Sequence, residues 1–234
     1  MEHGALPKLI NVGCGYDKRP GYLNVDMDPH CSPDILVTDI EFSNLPKGWF
    51  EGLISYDVLE HIRRADTPGA LLEWADLLQL NGTMELETSN VMAIVDLMRE
   101  QQSYQMHAAY TVFMFGNQAH DGDYHHTGFT DRTLKVQILA AGFDIEQFEE
   151  RDRWLYWLKA KKTYRWSALL DQELSDTDFI VEAWRAALER DPEPEYVNGL
   201  KNWLETGEKT RRNILKHLHD SEERRLLMAG RYGL

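Results

Sequence analysis

The 234 residues carry 39 acidic against 25 basic side chains, a formal net charge of −14, and that surplus repels a phosphate backbone, so nucleic-acid partners are not expected. Hydrophobic residues at 43% and aromatics at 11% exceed what a disordered chain carries, and the length suits one α/β domain with a small appendage. Cys14 and Cys31 are too few for a disulfide framework or a zinc site, and neither a basic apolar leader nor a run of roughly eighteen apolar residues occurs, so a cytoplasmic protein without a transmembrane segment is expected.

In chain order, residues 8 to 13 form an apolar run that enters glycines, and 22 to 26 and 34 to 40 repeat a short apolar strand ending in aspartate. Gly52–Tyr56 reads as a fourth strand, and Asp57–Ile62 as the start of the helix after it. Leu71, Leu72, Trp74, Ala75, Leu77, Leu78 and Leu80 continue helical spacing to a stop at Asn81-Gly82. Thr83–Thr88 follows as the fifth strand. Residues 90 to 128 lack a clean period and are dense in Tyr, Phe, Met, His and Asn, which marks a substrate-side insertion. Thr130 to Ala141 reads as a helix capped by Thr130 and ended by Gly142, and 143 to 149 with 154 to 161 as a closing strand pair. The Lys159-Ala160-Lys161-Lys162 run is read as the solvated end of that pair.

From about residue 164 no strand pattern survives. Phe179, Val181, Trp184, Ala187 and Leu188 lie on one helical stripe before Asp191-Pro192-Glu193-Pro194, with further helices at 196 to 205 and 210 to 227. The expected organisation is a doubly wound, Rossmann-like α/β sheet over residues 1–163, with 90–128 inserted in it, and a small all-helical module over 164–234.

In such a sheet ligands bind at the carboxyl ends of the strands, here residues 13 to 15, 26 to 28, 39 to 40 and 55 to 57. Gly13-Cys14-Gly15 would let a ligand approach main-chain amides closely. Asp26 suits two ribose hydroxyls, which need an acceptor-only partner. Asp39 is spaced for an adenine amine, with Ile40 packed on the ring, and Met27 and Tyr56 complete the rim. Lys18 stands where a dinucleotide fingerprint requires a third glycine, and no phosphate-binding GxxxxGK[ST] occurs.

Asn11-Val12-Gly13-Cys14-Gly15, Leu23-Asn24-Val25-Asp26-Met27-Asp28-Pro29, Val58-Leu59-Glu60-His61-Ile62 and His125-His126-Thr127-Gly128-Phe129-Thr130 occur in that order. Together they resemble the class I S-adenosylmethionine-dependent methyltransferases of bacterial polysaccharide loci, over roughly residues 8 to 150. The tail, from Ala187 to Glu223, resembles small helical domains of unknown function found beside glycan-modifying enzymes. The resemblance implies S-adenosylmethionine as cofactor, held by Asn11, Gly13, Cys14, Gly15, Asp26, Met27, Asp39, Ile40 and Tyr56. It implies a carbohydrate acceptor and a glycan-assembly partner for residues 164–234.

Methyl transfer to a hydroxyl needs a base near neutral pKa. His125 is the first candidate, with His61 and Asp57 as alternatives at the start of the expected helix. His120, Asp121, Asp123, His125 and His126 are dense in potential ligands, but no spacing is diagnostic and no resident metal is expected. The expectation is an O-methyltransferase acting on a sugar hydroxyl of a surface polysaccharide or its precursor. The alternatives are a non-catalytic recruitment module for glycan assembly, or methylation of a small metabolite or a protein side chain.

Overall fold

The computed structural model describes residues 6–39 and 41–234, so Ile40 lies outside the described residues. Strands β1 (Leu9–Val12), β2 (Tyr22–Asp26), β3 (Ile35–Leu36), β4 (Phe50–Tyr56), β5 (Leu78–Ser89), β6 (Phe143–Arg151) and β7 (Leu155–Lys162) form one sheet of order β3-β2-β1-β4-β5-β7-β6. The first five are parallel, and β7 runs antiparallel to both β5 and β6. β1, β2 and β4 are buried through their centres, as strands covered on both faces should be, although Asn11 and Asn24 put a polar side chain at the centre of β1 and of β2. β6, on the edge, exposes Glu146, Gln147, Glu149 and Glu150, charges and amides that discourage edge pairing.

The first half departs from regular strand and helix alternation. Residues 13–21 form turns between β1 and β2, not a helix. The cause is a buried amide pair. Asn11 Nδ2 donates to the Asp17 carbonyl and to Asn24 Oδ1. Asn24 Oδ1 also accepts the Arg19 amide, and its Nδ2 donates to the Arg19 and Tyr22 carbonyls and to Asp34 Oδ2. These side chains satisfy backbone groups that a helix would otherwise pair.

The segment after β4 differs in a similar way. Leu59–His61 is a single 3-10 turn, and helix α1 (Thr67–Leu77) begins later, with Pro68 in its first turn. α1 ends before Asn81-Gly82, because Lys162 Nζ donates to the Ala75 and Leu78 carbonyls while Leu78 pairs with Phe50 in the sheet. Residues 90 to 128 hold two helices, α2 (Val91–Glu100) and α3 (Tyr104–Phe115), capped by the Asn90 and Ser103 side chains. α4 (Asp131–Ala140) has the expected Thr130 cap, with Thr133 completing a reciprocal capping box.

Four helices follow: α5 (Asp176–Leu188), α6 (Pro194–Glu205), α7 (Arg211–His219) and α8 (Glu222–Tyr232). On α5 the buried stripe is Phe179, Ile180, Ala183, Trp184, Ala187 and Leu188, with Val181 only half-buried. These residues and Ile214, Leu215 and Leu218 of α7 join the sheet and α1 in one contiguous apolar core. The α1–α7 contact also holds a charge network. Glu73, fully buried on α1, is paired with Lys47 (3.0 Å), Arg212 (2.7 Å) and Lys216 (3.1 Å), and Arg212 also reaches Asp76 at 2.9 Å. A buried carboxylate is tolerated only with such compensation.

His219, 1% exposed, lies within the same core. Its Nδ1 is 2.9 Å from the Leu215 carbonyl, which can only accept, so Nε2 is the acceptor for the Tyr164 hydroxyl at 3.2 Å. Burial pushes its pKa from 6.5 down to about 4. Between these values the unfolded chain binds a proton that the native one refuses, so this stability is complete above pH 6.5 and is lost as pH falls toward 4. Urea denaturation should show the wild type losing roughly 2–3 kcal/mol more than His219→Gln on going from about pH 7.5 to about 4.5. Equal losses in the two proteins would refute this account.

Candidate functional site

Strand order reverses between β1 and β4, and a ligand crevice is expected there, beyond the carboxyl ends of the strands. A cavity of about 480 Å³ opens at that point. Gly13, Gly15, Asp26, Met27 and Asp39 line it, as do Asp57 and His61. Asn11, Cys14 and Tyr56 do not. Asn11 spends its amide on the loop and Asn24. The Cys14 thiol is buried, which pushes its pKa up to about 11 and leaves it inert. The Tyr56 hydroxyl donates to Glu85 Oε2 at 3.1 Å, and its ring lies beneath the Arg19 guanidinium.

Two glycines shape this cavity for different reasons. Gly13 has φ +69°, and a Cβ there would sit 2.3 Å from Val58 Cγ2. Gly15 has φ +48° and open space where its Cβ would be. Asp26 holds the rim together: Oδ2 accepts the Gly15 amide (2.7 Å) and Oδ1 the Asp28 amide (2.8 Å). Asp39 accepts from the Ser43 amide and hydroxyl, both at 3.2 Å. Val12, Val25, Val37, Phe42 and Trp74 supply apolar walls between these acids. An apolar slot with an acidic rim suits a base and a ribose.

A second cavity of about 280 Å³ adjoins the first, with Asp57, His61 and Asp123 lining both. Its far side is formed by Phe113 and Trp154, whose rings stack at 4.9 Å, together with Asn117 and His125. Asp57 has φ +54°, an αL conformation that is strained for a side-chain-bearing residue and is found preferentially at functional sites. Burial raises its carboxyl pKa, partly offset by His61.

His61 Nδ1 lies 3.2 Å from the Tyr124 carbonyl. That oxygen can only accept, so Nδ1 carries the hydrogen and Nε2 is left as the basic nitrogen. Burial lowers the His61 pKa and keeps the ring neutral. His125 meets His61 edge-on with ring centroids 4.7 Å apart, and lines only the smaller cavity. Its pKa is likewise lowered by burial and by His61.

Glu60, 1% exposed, also lines the smaller cavity, a position that motif reading passed over. Its carboxyl accepts from Thr88 Oγ1 (2.8 Å) and the Ser89 amide (3.1 Å), and its carbonyl accepts the His126 and Thr127 amides. Burial pushes its pKa up to about 7. Val58 and Trp74 are further lining residues that the sequence did not single out, and Asp123, noted there only as a potential metal ligand, lines both cavities. Among the described residues no three His, Cys, Asp or Glu side chains gather as metal ligands. His120 Nε2 instead pairs with Asp123 at 3.1 Å.

The strand order, with one reversed strand between β5 and β6, is that of a doubly wound, Rossmann-like sheet. No protein-family model matches the sequence, and no curated protein does. Solved structures do match. An S-adenosylmethionine-dependent methyltransferase from Methanosarcina mazei aligns at 14% identity and TM-score 0.48, over 68% of this chain and 95% of that one. The 1,6-didemethyltoxoflavin-N1-methyltransferase of Burkholderia thailandensis, with its substrate and S-adenosylhomocysteine bound, aligns at 14% identity and TM-score 0.46, over 69% and 74%. A possible exported protein from Bordetella parapertussis aligns at 16% identity and TM-score 0.48, over 68% of this chain but only 63% of its own. Among the described residues no helix is long and apolar enough to cross a membrane.

Proposed function

We propose that the protein is an S-adenosylmethionine-dependent methyltransferase acting on a hydroxyl of a sugar. The observation that carries this reading is the pair of adjoining cavities with Asp57, His61 and Asp123 as their common wall. The larger cavity offers what an adenosine needs: close backbone approach at Gly13 and Gly15, carboxylates at Asp26 and Asp39, and apolar walls. Asp123, on the wall common to both cavities, places negative charge where a sulfonium would be attracted.

Bound S-adenosylmethionine supplies an electrophilic methyl group, whose transfer to oxygen leaves S-adenosylhomocysteine and releases the hydroxyl proton. His61 accepts that proton at Nε2, its tautomer held by Tyr124. The α3 and 116–125 segments screen the smaller cavity, and its volume, comparable to one hexose ring, and its Phe113–Trp154 wall support a carbohydrate acceptor.

Calorimetry tests the cofactor directly. Wild type should bind S-adenosylhomocysteine in the micromolar range, and Asp26→Ala should weaken binding roughly 10–100-fold by removing a charged acceptor. Absence of micromolar binding to the wild type would overturn the proposal.

A further inference from the structure

We propose that the acceptor carries a protonated amine beside the hydroxyl that is methylated, so that within the carbohydrates it is an aminohexose whose nitrogen is unacylated. This rests on the reading of the second cavity as the acceptor site. That cavity is lined by three carboxyl side chains, Asp57, Glu60 and Asp123, and by no lysine or arginine. An acceptor with a carboxylate or phosphate in this space would lose its water against like charge with no counter-ion.

The three acids are not equivalent. Glu60 is committed to Thr88 and Ser89, and Asp123 to Ala119 and His120. Among the described residues no hydrogen-bond donor reaches the Asp57 carboxylate, and the basic group coupled to it is His61, whose ring is kept neutral by burial. An ammonium group supplies the missing partner. Acetylation of the amine would remove the charge that Asp57 would pair. The diphosphate of an activated precursor would have to lie outside this cavity.

The test uses the full chain saturated with S-adenosylhomocysteine, titrated with the methyl glycosides of glucosamine, glucose, N-acetylglucosamine and glucuronic acid. The glucosaminide should bind ~10-fold or more tightly than the glucoside, with the glucuronide weakest. Asp57→Asn should abolish the preference, and because asparagine tolerates φ > 0 the fold is kept. A glucuronide or N-acetyl glycoside that binds as tightly as the glucosaminide would overturn the proposal. So would equal binding of the amine and neutral glycosides, or binding by none of the four. Failure of S-adenosylhomocysteine itself to bind would instead overturn the cofactor reading beneath it.

Discussion

Gly13→Ala is expected to destabilise the protein by roughly 2–5 kcal/mol and to abolish measurable binding of S-adenosylhomocysteine. Two independent costs combine. A φ of +69° costs an L-residue about 1–2 kcal/mol. The added methyl, 2.3 Å from Val58 Cγ2 and 2.9 Å from Cγ1, overpacks a site that has no slack, at about 1–3 kcal/mol. Because the Gly13 and Cys14 amides both donate to the Val25 carbonyl, the strain passes directly to the end of β2, where Asp26 stands. Urea denaturation reads the stability, and calorimetry the binding. Adding Val58→Ala to Gly13→Ala should recover the overpacking part and leave the backbone part. Wild-type affinity in Gly13→Ala would remove this loop from the cofactor site.

His61→Ala should lower kcat by ~10²–10⁴-fold with cofactor affinity unchanged, since general-base catalysis contributes that much. Wild-type activity should fall as pH drops through the His61 pKa, below its ordinary value of 6.5 because burial disfavours the charged ring. His61→Ala should lose that acidic limb. His125 faces only the acceptor cavity, so His125→Ala should act mainly on the KM for the acceptor. A larger kcat loss in His125→Ala than in His61→Ala would return the base to His125.

The strands of the parallel core were legible because burial on both faces leaves short, mostly apolar runs, as at Leu53–Ile54 and at Leu9–Val12, where Asn11 is the exception. α4 was legible because its cap is written locally in Thr130 and Gly142. The turns at 13–21 were not, since they depend on Asn11 meeting Asn24 across two strands, a long-range pairing invisible to local spacing. Leu78 and Leu80 kept helical spacing, yet Lys162, far along the chain, draws off the last carbonyls of α1 and lets β5 begin at Leu78. α3 escaped a periodic reading because its apolar residues are spread around the helix and not along one face, with only Tyr110 fully buried. At the site, acids at strand ends were readable as a rim. Cys14 and Tyr56 belonged to the same stretches but face away, because which side of a turn a residue takes is set by packing. The place of Glu60 and Asp123 in the site was not readable, since it depends on the 116–127 segment folding against the 58–62 turn that follows β4.

The Glu73 network has a consequence for how the chain is made. α1 leaves the ribosome long before Arg212 and Lys216 exist, so during synthesis Glu73 and Asp76 have no cations from α7 to meet them. Until α7 docks, the face of α1 that carries Glu73 and Asp76 stays open to water, with Lys47 the cation of the network already made. Docking of α7 thus buries the two acids and supplies their counter-charges in the same step, so the desolvation of Glu73 and Asp76 is compensated as it occurs.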